Sequence, residues 1–431
     1  MNARADAAAG RGALLRDANF AWLMGGGAVS ALGDQFTLIA LPWLVLKLTG
    51  DPVALGLVVA LMGVPRAVLI LFGGALVDRH SPKRVLMLTK HVNTALLAIL
   101  CVLVWTAQAT LPVVVALALG LSLASAFSIP AGTSMLPHAI APERLQAANG
   151  MMMAIRQVTT LAGPLLAGLL FVLGGDGSAG MGSARGLALA FGVDAFTYAL
   201  SAWTLARVRP RTVAAAPPQP VLRAIGAGLA LVWRDRTLRT CFVYWGLCAC
   251  IVGGIMQVAL PLLANERLHG ASALALLMGA HGAGALAGMA LSGMWGRRRL
   301  GNLGTTLLAV DAVVGLLLVP LGFITASWQG MVVNVAIGVL GGFVNVAVFT
   351  WLQQRVPQAM LGRMMSIFMF IFMGLAPLAA SLAGWLAARI ALGTLFAGAG
   401  LGLAGAALLA WLFTPMRALD DAPAASAPTN G

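Results

Sequence analysis

The sequence contains 431 residues, of which 60% are hydrophobic and only 9% carry charge, whereas a soluble domain usually has about 25% charged residues. A chain so poor in charge cannot cover a water-exposed surface, so its surface must face lipid. The net charge of +14 does not indicate a nucleic-acid partner, because the basic residues are scattered and form no binding stripe.

Runs of mainly apolar residues indicate transmembrane helices, since a helix needs roughly 20 such residues to cross the hydrocarbon layer. The sequence holds twelve such runs, and we expect an all-α membrane protein with about twelve spans. In chain order, the predicted spans are 20–46, 54–77, 85–106, 111–136, 147–173, 187–206, 240–263, 271–295, 304–324, 329–352, 364–387 and 391–413.

The longest polar stretch lies between the sixth and seventh spans and contains Pro217, Pro218 and Pro220. Prolines at this density are typical of a linker rather than a helix. The apolar run that follows them, 221–232, predicts an interfacial helix. The predicted organisation is an N-terminal six-helix bundle, a cytoplasmic linker with its interfacial helix, a C-terminal six-helix bundle and a disordered tail, over residues 1–206, 207–239, 240–416 and 417–431.

The two predicted bundles look related. Pro142 and Pro164 in the first half have counterparts at nearly the same offset in Pro357 and Pro377 of the second half. Internal duplication of this kind is common in transporters, and it predicts pseudo-symmetric halves. Most Lys and Arg residues fall on one side of the spans, which marks the cytoplasmic side. We therefore expect a multi-pass protein of the cell inner membrane with both termini in the cytoplasm.

Three charged residues fall well inside predicted spans: Asp34 in the first, Arg66 in the second and Arg156 in the fifth. Such residues are costly in lipid and usually face a cavity or an opposite charge. One interpretation is proton coupling, in which Asp34 binds a proton when its cationic partner moves away, because an isolated carboxylate is costly in a low-dielectric medium. The other is a permanent ion pair that braces the N-terminal half.

Other intramembrane polar residues receive structural interpretations. Lys90 lies near the start of the third span and could extend its ammonium group to the cytoplasmic interface. Asp194 and Asp311 are interpreted as helix-packing hydrogen-bond partners. Four amides are candidates to line a substrate cavity, because a polar group that faces lipid is disfavoured: Gln35, Gln257, Asn334 and Asn345.

Two pairs of glycines have the spacing that permits close helix packing: Gly284 with Gly288, and Gly398 with Gly402. The chain has only five histidines, and it shows neither a metal-ligand cluster nor a nucleophile with its base. No metal, cofactor or enzymatic reaction is therefore expected.

The loop after the second span reads GALVDRHSPKRVL and resembles the signature loop of the Major Facilitator Superfamily. The matching residues include Gly74, Asp78, Arg79 and Arg84. The resemblance implies two six-helix bundles and a gating role for the loop. In that role the Asp78 carboxylate meets the positive N-terminal end of the eleventh helix near Arg363. A loop that only sets topology is the alternative.

Further segments resemble the drug, macrolide and enterobactin exporters of that superfamily. They are SALGDQF at 30–36, DAFTY at 194–198 and VWRDRTLR at 232–239. In exporter branches a Gly-Pro motif in the fifth helix accompanies antiport, and Gly163 and Pro164 match it in part.

The resemblance implies a secondary active transporter that works by alternating access. We expect proton-coupled efflux of a small amphipathic compound, drug-like or siderophore-like, by a monomer whose other partners are protons and membrane lipid. The alternatives are a proton-coupled importer of a small nutrient, a lysolipid flippase and, least favoured, a polytopic membrane enzyme.

Overall fold

Twelve helices that are long and apolar enough to cross a membrane run through the part of the chain that the structure describes. The computed structural model describes the backbone of residues 17–79, 81–141, 144–173, 184–211, 221–268, 270–295, 302–356, 364–365 and 367–419. Within these ranges the side chains of 71–79, 146–147, 150, 184, 221–225, 227–228 and 293–295 are not described. The predicted all-α membrane fold with twelve spans is confirmed.

The spanning helices are numbered α1 to α12 in chain order. The first six are α1 Ala18–Thr49, α2 Pro52–Arg79, α3 Pro82–Trp105, α4 Leu111–Ala139, α5 Leu145–Leu173 and α6 Ala184–Arg207. The last six are α7 Arg236–Glu266, α8 Ala271–Trp295, α9 Leu303–Leu321, α10 Ser327–Arg355, α11 Ile367–Ala387 and α12 Leu392–Phe413.

Several helices extend past the apolar runs because their ends are set by capping rather than by hydropathy. Asp17 accepts hydrogen bonds from the backbone N–H groups of Asn19 and Phe20, which satisfies donors that the helix leaves free. At the other end of α1, Gly50 adopts a left-handed φ of 62° and its N–H bonds to the carbonyl of Leu46. Hydropathy detects only the part of such a helix that lies in hydrocarbon.

The segment between α6 and α7 contains a further helix, Val221–Arg234, which we call the linker helix. It covers the predicted 221–232 run, and 212–220 lie outside the described residues. The expectation of a disordered tail from residue 417 is wrong for residues 417–419. The 3-10 turn Pro415–Ala418 packs beside the start of α9, where Met416 and Leu419 are buried and the N–H of Gly304 bonds to the carbonyl of Leu419.

The chain divides into two units. The first contains Met1–Gly50, Leu61–Pro218 and His269–Gly279, and the second contains Asp51–Ala60, Gln219–Leu268 and Ala280–Gly431. In the first unit α6 packs extensively against both α1 and α3. In the second unit α9 packs against α12, and α7 packs against α11. The bundle boundaries at 206 and 240 stay a prediction.

Small residues permit close helix packing in the second unit, as the Gly284 and Gly288 spacing indicates. A Cβ on either glycine would overlap the backbone of α10, at Val335 and Val339 respectively. The pair Gly398 and Gly402 has no described atom within 4 Å of an added Cβ. The same spacing therefore marks a close helix contact in α8 but not in α12.

Two spanning helices of the second unit contain a π-helical turn, Ala249–Gly253 in α7 and Ile371–Leu375 in α11. The turns lie side by side, and a Cβ on Gly254 would lie 2.8 Å from backbone and side-chain atoms of Ala379. π-Helical turns insert one extra residue into a helix and frequently occur at functional sites. Apolar composition does not predict them.

Candidate functional site

A polar seam joins α1 and α6 in the first unit. Gly26 faces Thr204, and Gly33 faces Thr197 and Asp194, each so closely that a Cβ on the glycine would overlap a side-chain oxygen. The α6 residues recur at helical spacing, so they share one face of that helix. The two glycines therefore allow α1 to approach a stripe of hydroxyl and carboxyl groups that runs inside an apolar bundle.

Asp34 lies on α1 at the middle of this seam and is exposed. The hydroxyl of Tyr198 on α6 donates a hydrogen bond to Oδ1 of Asp34, at 2.6 Å. A charged group halfway along a spanning helix is costly in hydrocarbon unless it faces a cavity or has a polar partner, and Tyr198 is such a partner. The carboxylate of Asp34 is thus held by a neutral donor from a second helix.

Asp194 makes the reciprocal contact in the seam. Its side chain is only 1% exposed, and it accepts hydrogen bonds from the hydroxyl of Thr37 on α1 and, at 3.3 Å, from the hydroxyl of Thr197 on its own helix. Asp34 of α1 thus bonds to α6, while Asp194 of α6 bonds to α1. The helix-packing interpretation of Asp194 agrees with these contacts.

Lys90 of α3 inserts into the same seam and is 7% exposed. Its ammonium group donates to the hydroxyl of Ser201 at 2.5 Å and to that of Ser30 at 3.3 Å, and it lies 5.5 Å from the ring centroid of Tyr198. The expectation that Lys90 extends to the cytoplasmic interface is therefore wrong. Tyr198 therefore contacts both this buried cation and Asp34.

Neither predicted arginine forms a direct ion pair with Asp34 among the described residues. Arg66 is half-buried, close enough for its charge to act on Asp34, and its Nε has no described hydrogen-bond partner. Arg156 is exposed on α5. Lys90 is the positively charged group that contacts the hydrogen-bond partner of Asp34, since its ammonium group lies over the ring of Tyr198.

The Gly-Pro motif brings α5 close to α1. Gly163 and Pro164 are both buried, and a Cβ on Gly163 would overlap the side chain of Gln35. Gln35, a cavity candidate, is therefore half-buried at the contact between α1 and α5, next to Asp34 in sequence. The motif permits a close helix contact beside the carboxylate.

The signature loop is only partly described. Gly74, Asp78 and Arg79 belong to the last turns of α2, and their side chains are not described. Arg84 is exposed in the first turn of α3. Arg363 lies outside the described residues, so the gating role of the loop stays a prediction.

In the second unit, the three other cavity candidates differ in exposure. Asn345 on α10 is exposed, and Gln257 on α7 is half-buried. Asn334 is 0% exposed, and its amide nitrogen donates to the carbonyl of Gly330 in its own helix at 2.9 Å. Asn334 therefore does not line an open surface, because its amide is enclosed by helix packing.

Asp311 also lies in the second unit, on α9. It accepts a hydrogen bond from the hydroxyl of Tyr244 on α7 at 2.8 Å, and the thiol of Cys248 lies 4.0 Å away. These contacts join α9 to α7, which agrees with a packing role for Asp311.

Asp235 connects the linker helix to α10. It caps α7 through the N–H groups of Thr237 and Leu238, and it forms an ion pair with Arg355 at 3.0 Å. Partial burial raises the pKa of Asp235, but the backbone donors and the Arg355 guanidinium outweigh it, so the pKa lies below the ordinary value of an aspartate.

Comparison with known proteins then gives the family. A family model described as the Major Facilitator Superfamily matches residues 23–381. The chain belongs to the Major Facilitator Superfamily. This assignment makes it a membrane transporter of small molecules and not an enzyme, as the sequence resemblance implies.

Curated members of the superfamily are similar over most of the chain. The multidrug efflux pump Tap of Mycobacterium bovis (strain BCG / Pasteur 1173P2) is 28% identical over 414 residues, which cover 92% of this chain and 94% of Tap. The enterobactin exporter EntS of Salmonella paratyphi A (strain ATCC 9150 / SARB42) is 27% identical over 333 residues, 76% of this chain and 75% of EntS.

Solved structures show the same fold at low sequence identity. The nucleoside transporter NupG has a TM-score of 0.70 at 12% identity, covering 92% of this chain and all of that one. A bacterial homologue of the lysosomal transporter Spinster, in an inward-facing and occupied conformation, has a TM-score of 0.67 at 12% identity, covering 90% of this chain and 93% of that one.

Sequence reasoning missed Lys90, although a signal for it was present. Lys90 and Asn93 are polar residues three apart, and they continue the stripe of Leu86 and Leu97 that is buried in the structure. Residues at this spacing share one helix face. A lysine on the buried face must have polar partners, whereas a lysine on the lipid face extends to the interface.

Proposed function

We propose that this superfamily member is a proton-coupled exporter of small amphipathic compounds in the cell inner membrane, with both termini in the cytoplasm. It acts as a monomer by alternating access, with halves at 1–206 and 240–416 joined by the 207–239 linker. The observation that carries the proposal is the carboxylate of Asp34 within a spanning helix, held by Tyr198, whose ring also contacts the buried Lys90.

The coupling step follows from charge. While Asp34 is ionised, its attraction to Lys90 and to Arg66 stabilises the contact of α1 with α6 and α3. A proton on Asp34 cancels that attraction. The ammonium group of Lys90 is then left with hydroxyl partners alone. The packing of α1 against α6 and α3 loses electrostatic stabilisation, which favours a different packing of α1. Proton binding and release thus bias two conformations of the transporter.

Export as the direction is supported by the similarity to Tap and EntS, which are named as efflux proteins. Their names do not identify the cargo of this chain. We assign it a small amphipathic compound because the exposed surface of α1 near Asp34 combines a carboxylate with the apolar Leu38.

The test is a transport screen in everted membrane vesicles with an imposed proton gradient and chemically diverse compounds. We expect at least one amphipathic compound to accumulate with the wild-type protein and not with Asp34→Asn. Asp235→Asn is the matched control, because that carboxylate lies outside the spanning segments, and it should transport normally. If Asp34→Asn accumulates the compound as well as the wild-type protein does, Asp34 has no role in coupling. If the vesicles lose the compound instead of accumulating it, the protein is an importer.

A further inference from the structure

The α5 helix exposes an arginine that no residue of the described chain neutralises. Arg156 lies eleven residues after the start of α5 at Leu145 and seventeen before its end at Leu173. At 1.5 Å per residue, it is roughly 16 Å from one end of the helix and 25 Å from the other. Its guanidinium makes no hydrogen bond or ion pair within the described residues.

Asp34 is not the missing partner. Gly163 of α5 contacts Gln35 of α1, the neighbour of Asp34. Arg156 precedes Gly163 by seven residues, which places it about 10 Å along α5 from the level of that contact. An ion pair needs its charged atoms within a few ångströms, and none joins Arg156 to Asp34 among the described residues, so the guanidinium is available to an anion from outside the chain.

The surroundings of Arg156 indicate that it faces water rather than lipid. Asn149, Met153 and Thr160 are also exposed, and their spacing of three to seven residues from Arg156 puts them on its face of α5. Val158 is 61% exposed on the opposite face, which continues with Leu165, Leu169 and Val172. One exposed face of the helix therefore carries the polar side chains together with Met153, and the other is apolar.

We propose that Arg156 binds the anionic group of the cargo, and that the cargo class is amphipathic organic carboxylates. A guanidinium binds a carboxylate through two parallel hydrogen bonds. The side-chain amide of Asn149 can contribute further donors. The side chain of Met153, 56% exposed, offers a flexible apolar surface to the rest of the molecule. This proposal rests on the proposed export function and specifies its substrate.

The first test asks which way the polar face points. Arg156→Cys and Val158→Cys are compared in membrane vesicles with a membrane-impermeant thiol reagent, and labelling at each position is read by mass spectrometry. The two positions lie about 3 Å apart along the axis but on opposite faces. We expect labelling at 156 and little at 158. Equal labelling, or labelling at 158 alone, overturns the water-facing assignment.

The second test measures anion binding by equilibrium dialysis of salicylate and of its neutral amide, salicylamide, with purified protein in neutral-lipid nanodiscs. Wild-type protein should bind salicylate at least about tenfold more tightly, the effect expected of a charge-assisted pair. Arg156→Gln should remove the preference, and Arg156→Lys should keep part of it. Arg144, which directly precedes α5 and lies 3.8 Å from Asp17, supplies the control Arg144→Gln, which should keep the preference fully.

A wild-type protein without preference for salicylate, or an Arg156→Gln variant that keeps the preference, overturns the proposal. Failure of the export function is distinguishable from this result. If everted vesicles accumulate no compound under a proton gradient, the exporter assignment fails, while dialysis still decides whether Arg156 binds an organic carboxylate.

Discussion

Gly33→Ala tests the close contact of α1 with α6. A methyl group at this position would overlap Oγ1 of Thr197 and Oδ1 of Asp194. Thr197 cannot rotate away freely, because the same hydroxyl donates to the carbonyl of Asp194 at 2.7 Å. The variant must therefore either break that hydrogen bond or separate the two helices, which also displaces Asp34 from Tyr198.

The expected magnitude follows from a matched control on the same helix. Gly27→Ala places its methyl group where no described atom lies within 4 Å. Both substitutions gain the same helix propensity, up to about 1 kcal/mol. The difference between them is thus the cost of overpacking at Gly33, about 1–3 kcal/mol.

The assay is thermal unfolding of both purified variants in one detergent, followed by intrinsic fluorescence, together with transport in vesicles. Gly33→Ala should unfold at a lower temperature than Gly27→Ala and should transport more slowly. If the two variants unfold at the same temperature, α1 and α6 do not approach each other as described, and the seam cannot position Asp34.

Two further predictions concern Lys90 and Asp235. Lys90→Gln should abolish proton-driven transport while the protein still inserts, because it removes the buried cation that contacts Tyr198. Normal proton-driven transport by Lys90→Gln would contradict this role. Asp235→Asn keeps the helix cap but loses the charge, so it should cost roughly 0.5–1 kcal/mol at neutral pH. Because the folded pKa of Asp235 is lowered, this contribution exists above the ordinary aspartate pKa of about 3.9 and disappears as the pH falls through the folded value. Wild-type and variant unfolding temperatures should converge in acid, and a constant gap between them would exclude the pair with Arg355.

The twelve spans could be predicted because crossing hydrocarbon demands about 20 apolar residues, which composition records directly. The π-helical turns could not, since one extra residue within Ala249–Gly253 leaves the composition of α7 unchanged. Glycine spacing was equally ambiguous, because Gly284 and Gly398 begin the same pattern but only Gly284 contacts a neighbouring helix.

The candidate site was predictable in part. Asp34 stood out because a carboxylate in a spanning helix is rare. Its partners depend on which helices are neighbours, and residue spacing within one helix does not carry that information. The sequence therefore suggested Arg66 and Arg156, whereas α3 contributes Lys90 to the seam between α1 and α6.

The proton-carrying role of Asp34 is tested most directly by comparing two activities of the same vesicles: substrate counterflow, which needs no proton gradient, and substrate accumulation, which does. Everted vesicles with wild-type protein or Asp34→Asn are loaded with an exported compound, and counterflow without a gradient is compared with uptake driven by a proton gradient. We predict that Asp34→Asn keeps counterflow but loses gradient-driven accumulation. Full accumulation by the variant, with counterflow unchanged, would contradict the account.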